Sequence, residues 1–449
     1  MQPIDFGKDQ FQTVSQILRA DPQQVPSIFL TEPTSVQDTS DIPREIFFSR
    51  HHHDIETEKL WQKVWHAACL EEDIPNVGDR LVHDLADLSV IIVRTAPGEI
   101  RAFYNSCLHR GTQLQIGQGN GKYFQCPFHG WRWNLDGSLA HIPCRWDFPQ
   151  VSDEAFHLPE LKVSLWQGIV FVNYDQCCES LESYLENIPD QFRYIAYPPK
   201  SRFTAVHIVK EMPANWKVTM EAFLESYHFM ATHPQVLHFT GIAQCDLYGR
   251  HARSILPVGV GSPYFGDQLD EMSIAKRIAI FEGVDPAMVD LPPKLTARAY
   301  AAMAARQRLG EDLGVDCSTL LDTEVLDVMS YFIFPNLVLT PSLGFPVLMK
   351  FQPNGNDPDS CMMEVRLLLP IPAGQSPPKA KRHLLGREES WKEVPGFARI
   401  GAIFDQDTAN LLRIQRGLKA SGKSGVTFSQ DQESILRHFH RVLALQLAQ

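Results

Sequence analysis

Residues 104–133 read Y-N-S-C-L-H-R-G-T-Q-L-Q-I-G-Q-G-N-G-K-Y-F-Q-C-P-F-H-G-W-R-W and contain two cysteine–histidine pairs. Cys107 and His109 form a C-x-H pair, and Cys126 and His129 form a C-x2-H pair after sixteen intervening residues. Thiolates and imidazoles carried on short loops are ligands for iron and zinc. The spacing therefore predicts one metal site assembled from the side chains of two loops.

Two kinds of site use two cysteines and two histidines, and the flanking residues distinguish them. A structural zinc site binds all four to one ion, whereas a Rieske [2Fe–2S] cluster has both cysteines on one iron and both histidines on the other. Gly111 and Gly130 follow the ligand loops, and glycine permits tight positive-φ turns that aim backbone N–H groups at bridging sulfides. Pro127 restricts the second loop. These features favour the Rieske cluster, which nearby aromatic side chains would shield from water: Phe128, Trp131 and Trp133.

The length and composition indicate a globular protein of more than one domain. A chain of 449 residues is too long for one ordinary core, and 44% hydrophobic with 21% charged residues is typical of a globular fold. The balance of 41 basic against 53 acidic residues, a net charge of -12, argues against nucleic acid or an anionic membrane as a partner. The N-terminus lacks an apolar export segment, and no run approaches the ~18 apolar residues of a membrane span. We therefore expect a cytoplasmic location.

The two ligand motifs resemble those of a known family. C-x-H-R-G followed by C-P-F-H-G-W is similar to the Rieske domain of the Rieske non-haem iron ring-hydroxylating oxygenase family, whose terminal oxygenase (alpha) subunits hydroxylate with O2. The resemblance implies that Cys107, His109, Cys126 and His129 hold a [2Fe–2S] Rieske cluster. It also implies a mononuclear Fe(II) site elsewhere in the chain.

The order of the predicted elements indicates an α+β protein in three segments. Residues 1–60 read as an N-terminal arm and helix: one helix is expected over 8–20, and another begins near the histidines at 51–53 and runs to about His66. Short apolar runs punctuated by turns indicate an all-β Rieske [2Fe–2S] domain over residues 61–178. Residues 179–449 mix helices with strong strands. There we expect a catalytic mononuclear non-haem iron domain, with an antiparallel sheet wrapped on helices (a helix-grip, START-like arrangement) around a cavity.

A second set of candidate ligands lies in residues 215–234, N-W-K-V-T-M-E-A-F-L-E-S-Y-H-F-M-A-T-H-P. On a helix, Glu225 and His228 share a face, whereas His228 and His233 point about 140° apart. The two histidines meet at one ion only if the helix bends or ends between them, and Pro234 favours an ending. The stretch resembles the iron-binding helix of the family, and this resemblance implies that His228 and His233 are iron ligands.

Two histidines need a carboxylate to complete the facial triad of a non-haem Fe(II) oxygenase. The resemblance places it late in the chain, before a Q-R-G-L-like segment. Residues 404–418, F-D-Q-D-T-A-N-L-L-R-I-Q-R-G-L, offer Asp405 and Asp407, and Asp407 precedes Gln415 by the eight residues that the family pattern implies. We therefore expect Asp407 to be the third ligand. The alternative for Asp407 is a helix N-cap before T-A-N-L-L.

Glu225 is the candidate catalytic residue beside the iron ligands. The resemblance implies that it hydrogen-bonds an iron-ligating histidine of its own subunit and a cluster histidine, His129, of a neighbouring subunit, and so implies a homotrimer. Many arene-dihydroxylating members carry aspartate at the position of Glu225 and often asparagine at that of Ala222. Glutamate in E-S-Y-H resembles members that monooxygenate quaternary amines such as carnitine or choline derivatives.

The source of electrons and the substrate stay open. The sequence has no G-x-G-x-x-G opening a strand–turn–helix unit and no ferredoxin-type cysteine run, so we expect a separate reductase, with or without a ferredoxin, and with or without a small beta subunit. The main hypothesis is O2-dependent hydroxylation of an aromatic or bulky hydrophobic compound. The alternatives are a monooxygenase or demethylase of a quaternary amine or aryl ether, and a non-catalytic electron carrier or ligand-binding protein. Residues 237–265 and 331–352 are candidates for the cavity lining.

Overall fold

The computed structural model describes residues 12–32, 36, 38–264 and 269–449, which form two compact units. Of these described residues, the first unit contains those within 12–49, 185–352 and 358–448, and the second contains 50–184 and 353–357. The boundaries expected from the sequence, after residues 60 and 178, stay predictions. Residues 8–11 of the expected first helix lie outside the described residues, and the helix is present from Val14 to Ala20.

The described residues contain twelve α-helices. They are α1 (Val14–Ala20), α2 (Arg50–Glu56), α3 (Leu181–Tyr184), α4 (Ile188–Gln191), α5 (Trp216–Glu221), α6 (Phe229–Thr232), α7 (Pro234–Leu237), α8 (Glu271–Phe281), α9 (Ala297–Leu313), α10 (Asp322–Val325), α11 (Ala398–Ala420) and α12 (Ser434–Leu447).

The strands of the described residues form four sheets. Two small sheets consist of β1 (Ile42–Pro43) with β20 (Gly425–Val426), and of β7 (Tyr123–Gln125), β8 (Arg132–Asn134) and β9 (Leu139–His141). A seven-stranded sheet contains β2 (His66–Leu70), β3 (Asp79–Leu85), β4 (Leu88–Ala96), β5 (Glu99–Tyr104), β6 (Gln118–Asn120), β10 (Glu160–Trp166) and β11 (Ile169–Asn173). An eight-stranded sheet contains β12 (Arg202–Met212), β13 (Gln244–Tyr248), β14 (His251–Leu256), β15 (Val328–Ile333), β16 (Leu337–Leu339), β17 (Val347–Asn354), β18 (Asp357–Pro370) and β19 (Arg382–Leu385).

The second unit is built on the seven-stranded sheet, in the order β2-β11-β10-β5-β4-β3-β6. β-Branched runs such as V-I-I-V in β4 are fully buried, which is the environment that these side chains prefer in strands. One cysteine–histidine loop follows β5, and the other joins β7 to β8. The all-β architecture expected for this part of the chain is thereby confirmed.

The first unit is built on the eight-stranded sheet, in the order β13-β14-β15-β16-β17-β18-β12-β19. β12 pairs antiparallel with β18 and parallel with β19. Asp270 caps the N-terminus of α8, because its carboxylate accepts a hydrogen bond from the N–H of Ser273. Gly314, with φ of 65°, caps the C-terminus of α9. Helix α12 packs against β13 and β14. The expected α+β class is confirmed.

One predicted helix is shorter than the sequence pattern indicates. The helix expected to reach His66 ends at Glu56 and continues only through a π-helical turn, Thr57–Trp61, and His66 instead begins β2. Strand pairing of β2 with β11 buries this segment, and this tertiary contact outweighs the local helical pattern. Among the residues that the structure describes, no helix has the length and apolar character needed to cross a membrane.

Candidate metal centres

The two cysteine–histidine loops have the same backbone geometry. In each loop the cysteine N–H donates to the carbonyl five residues later, and the following glycine N–H donates to the cysteine carbonyl. These distances are 2.8 and 2.9 Å in the loop of Cys107, and 2.8 and 3.1 Å in the loop of Cys126. The expected positive φ is confirmed, at 80° for Gly111 and 77° for Gly130. Each glycine thereby turns the chain tightly enough to enclose its ligand pair.

The four side chains of these loops converge. Cys107 and Cys126 are buried and their sulfurs are in hydrogen-bond contact, while the imidazole centroids of His109 and His129 lie 4.7 Å apart. Burial raises the pKa of the Cys107 thiol to about 11. The Nδ1 atom of His109 is buried, and it has no hydrogen-bond partner among the described residues. A buried imidazole nitrogen beside two buried sulfurs fits a bound iron–sulfur group better than it fits an apolar core.

Backbone dipoles support a negatively charged group at this place. The N–H groups of His109 and Arg110 point at the sulfur of Cys107, and those of Phe128 and His129 point at the sulfur of Cys126. Such clusters of N–H groups stabilise anions, and they surround the sulfurs of iron–sulfur clusters. The two loops therefore fit a [2Fe–2S] cluster in both ligand type and surroundings.

The three aromatic residues of the second loop have different environments. Trp131 stacks on His109, with ring centroids 5.0 Å apart and planes 3° from parallel. Trp133 is completely buried behind it, with ring centroids 6.1 Å apart. Phe128 is 58% exposed and lies at the rim, where the Arg110 guanidinium is 5.4 Å from its centroid. Trp131 thus covers His109, and Phe128 contacts His129, with ring centroids 3.9 Å apart.

The structure brings His228, His233 and Asp407 together in the other unit. Their candidate ligand atoms all lie within 4.8 Å of one another. The Nε2 atom of His233 is 2.8 Å from Oδ1 of Asp407, and the Nε2 atom of His228 is 3.4 Å from the same oxygen. Two imidazole nitrogens and one carboxylate directed at one point form the ligand set of the facial triad.

An interruption of the helix makes this convergence feasible. The segment expected to be one helix is three short ones, because α5 ends at Glu221, α6 covers Phe229–Thr232 and α7 begins at Pro234. His233, with φ of -125° and ψ of 56°, lies outside helical geometry between α6 and α7. Glu225 lies in the irregular segment between α5 and α6 rather than on a helix. The expected helix ending between the two histidines is confirmed, and the continuous helix is not.

Side chains behind the triad hold each histidine by its other ring nitrogen. Glu225 accepts hydrogen bonds from Nδ1 of His228 at 2.7 Å and from its backbone N–H at 3.1 Å. Gln406 accepts from Nδ1 of His233 at 2.8 Å, and Gln235 donates to the same oxygen at 2.7 Å. Because each Nδ1 donates, each Nε2 keeps a free lone pair for a metal.

Sequence reasoning missed Gln406, although it lies inside the D-Q-D motif. The residue before a helical ligand points about 100° away from it, so the spacing does not reveal that Gln406 reaches His233. Asp405 points elsewhere, because its carboxylate accepts hydrogen bonds from the Ser390 hydroxyl and from the N–H of Trp391. Asp407 is no N-cap, since α11 begins at Ala398. The geometry thus brings Asp407, and not Asp405, to the two histidines.

The charges around the triad favour a cation. Burial alone would lower the pKa of His228, but the carboxylates of Asp407 and Glu225 outweigh it and raise this pKa to about 9. A site that attracts a proton so strongly also attracts a divalent metal ion, which replaces the proton. The donor set, its two supporting side chains and its charge therefore fit mononuclear Fe(II).

The triad opens into a largely apolar cavity of about 410 Å³. Helices α8, α9 and α11 form part of its wall, and several alanines of α8 and α9 provide the space. Both stretches expected to line the cavity contribute, for example through Phe239 and Phe345, although residue 265 lies outside the described residues. The lining residues on α8, α9 and α11 were not predicted from the sequence. The phenylalanines that line the cavity are Phe223, Phe229, Phe239, Phe281, Phe345 and Phe404.

Comparison with protein-family models assigns both units. Residues 201–449 match the ring hydroxylating alpha subunit (catalytic domain) family, and residues 64–152 match the Rieske [2Fe–2S] domain. The second match decides between the two metal sites considered for the cysteine–histidine loops, in favour of the iron–sulfur cluster.

Individual relatives carry out two kinds of oxygenation. The carnitine monooxygenase oxygenase subunit of Escherichia coli (strain K12) is 28% identical over 242 residues, which cover 53% of this chain and 63% of that protein. The anthranilate 1,2-dioxygenase large subunit of Acinetobacter baylyi is 30% identical over 205 residues, which cover 43% of this chain and 42% of that protein. The chain thus spans less than two thirds of the length of these curated relatives.

Solved structures share the fold along nearly the whole chain. A quaternary ammonium Rieske monooxygenase in complex with L-carnitine has a TM-score of 0.64 at 18% identity, covering 91% of this chain and 96% of the other. Naphthalene 1,2-dioxygenase from Rhodococcus sp. bound to indole has a TM-score of 0.58 at 19% identity, covering 91% and 94%. The chain belongs to the ring-hydroxylating alpha subunit family, with a Rieske [2Fe–2S] domain preceding a catalytic domain that binds mononuclear iron.

Proposed function

We propose that this protein is a terminal oxygenase that hydroxylates an apolar substrate with O2. The observation that carries the proposal is the opening of the His228, His233 and Asp407 triad into a largely apolar cavity. A structural metal site has no need of such a space, whereas a non-haem iron oxygenase needs room for substrate beside the metal.

We assign the four residues of the cysteine–histidine loops to the cluster and the triad to Fe(II). When bound, the cluster supplies single electrons and the mononuclear iron supplies O2 activation. The residues of the chain supply the geometry: Glu225 and Gln406 fix the orientation of the ligand histidines through Nδ1. The apolar walls hold the substrate and exclude water from the reaction.

Electrons reach the protein from a separate reductase, with or without a ferredoxin. We propose a cytoplasmic homotrimer in which Glu225 also meets His129 of a neighbouring copy. The arrangement inside one chain supports this role, since Glu225 already accepts two hydrogen bonds from His228. A carboxylate between the two histidines would connect the two metal centres.

The apolar walls favour an aromatic or bulky hydrophobic compound. The alternative, a quaternary amine or aryl ether, is supported by glutamate at position 225 and by the carnitine monooxygenase relative. The six phenylalanines of the cavity are compatible with both substrate classes, because aromatic faces contact apolar groups and also attract cations. A non-catalytic carrier is disfavoured by the complete ligand triad.

Substrate-dependent O2 uptake tests the proposal. The protein is supplied with NADH and a surrogate reductase, and is offered polycyclic arenes, aromatic acids, methoxyarenes and quaternary amines, followed by product mass. Gain of two oxygens and two hydrogens establishes dihydroxylation, whereas gain of one oxygen or loss of a methyl group establishes the monooxygenase or demethylase reading.

Matched variants separate catalysis from electron carriage. His228→Ala should remove the iron in excess of two per chain together with turnover, whereas His238→Ala, outside the triad, should retain both. The proposal is contradicted if the wild-type protein binds only two iron atoms per chain and takes up no O2 with any substrate.

A further inference from the structure

The cavity contains a second charged cluster, distinct from the metal triad. Apart from the triad and Glu225, the acidic, basic and histidine side chains among its described lining residues are Glu282 and Arg308. The guanidinium groups of Arg308 and Arg399 both donate a hydrogen bond to the same carboxylate oxygen of Glu282. Two positive groups on one negative group leave this cluster with a net charge of +1.

The charged cluster reaches solvent. The side chains of Glu282, Arg308 and Arg399 are 23%, 38% and 48% exposed. Of the triad side chains, those of His233 and Asp407 are 1% and 5% exposed, and that of His228 is 21% exposed. A substrate that enters the cavity on the side of Glu282 therefore passes Arg308.

Helix α11 gives the distance between the charged cluster and the triad. Arg399, Ile403 and Asp407 are spaced four residues apart, so they lie along one side of the helix, and Ile403 and Asp407 both line the cavity. Eight residues at 1.5 Å each separate Arg399 from Asp407 by about 12 Å. Helix α9 repeats this geometry, since Tyr300 and Arg308, also eight residues apart, both line the cavity.

We propose that the substrate is an amphipathic organic anion, with an apolar body in the cavity and a carboxylate or similar acid group on Arg308. The acid group lies on the order of 10 Å from the carbon that is oxidised. Only one atom of the Arg308 guanidinium, Nη1, donates to Glu282, so its other N–H groups can bind a carboxylate. A cationic end group would instead be repelled by the net positive cluster. This inference rests on the proposed function of the cavity.

Calorimetric binding to the full chain tests the end group without requiring turnover. The probes are biphenyl-4-carboxylate, biphenyl-4-methanol and biphenyl-4-methylamine, which share one apolar body. We expect the carboxylate to bind at least tenfold more tightly than the alcohol, and the amine to bind most weakly. Arg308→Gln should reduce carboxylate affinity to that of the alcohol and leave alcohol affinity unchanged, which also shows that the variant is folded.

Two further variants complete the test. Arg399→Gln should weaken carboxylate binding in the same direction, and Arg413→Gln, the same change on an exposed part of α11, should have no effect. The inference is overturned if the carboxylate and the alcohol bind equally, if the amine binds most tightly, or if no probe binds. It is also overturned if Arg308→Gln still prefers the carboxylate to the alcohol. Failure of O2 uptake would instead count against the proposed function alone, because these measurements need neither electrons nor O2.

Discussion

At the residue scale, Gln406 is the least expected part of the candidate metal site. Its side-chain oxygen accepts hydrogen bonds from Nδ1 of His233 and from the side-chain amide of Gln235. We predict that Gln406→Ala lowers Fe(II) affinity about 10- to 100-fold, because His233 loses the contact that holds its ring and tautomer. Chelator competition on the intact protein measures this affinity, with the absorbance of the iron–sulfur cluster as an internal reference.

The control for this prediction is Gln235→Ala, which removes a neighbour of Gln406 but no contact of His233. It should change Fe(II) affinity less than threefold. If both substitutions weaken binding equally, or neither does, the orienting role of Gln406 is wrong.

Two glycines should respond to alanine in opposite directions. Gly130 has φ of 77°, and a new Cβ there would approach Pro143 only to 3.6 Å, so the cost comes from the backbone alone. Gly417 lies within α11, with open space around it. We predict that Gly130→Ala destabilises its unit by about 1–2 kcal/mol and that Gly417→Ala stabilises the other by up to about 1 kcal/mol. Calorimetric unfolding measures both, and a shift of the same sign in both variants would refute the backbone argument.

At the element scale, the cavity depends on alanines of α9. Ala301 lines it and is 7% exposed, so a large side chain there would occupy the substrate volume. We predict that Ala301→Phe reduces the affinity for biphenyl-4-methanol at least tenfold and leaves iron content unchanged. Met303, on the same helix and 60% exposed, provides the control Met303→Phe, which should bind the probe normally. Retained affinity in Ala301→Phe would mean that the probe binds outside this cavity.

At the scale of the whole molecule, the sequence predicts what depends on local spacing. The cysteine–histidine loops are short, and glycines at fixed positions determine their turns, so the cluster site follows from motif and spacing. The convergence of His228 with His233 required only that a helix end before Pro234. By contrast, Gln406 and Arg399 act on groups far away in the sequence, and only tertiary packing brings them there. The same cause turned His66 from the expected helix end into the start of a strand.

Packing of α12 against the sheet should make stability depend on pH. Burial, with a smaller contribution from Arg441, lowers the pKa of His438 on this helix to about 4, against about 6.5 in the unfolded chain. Between these values the unfolded chain binds the additional proton, so stability falls as the pH falls, by up to about 3 kcal/mol. We predict that His438→Gln loses less stability than the wild type between pH 7 and pH 4.5, measured by chemical unfolding at each pH. The control His383→Gln, on β19 of the same unit, should lose as much stability as the wild type over this pH range. If the stability of His438→Gln falls with pH in parallel with that of the wild type, His438 does not cause the pH dependence.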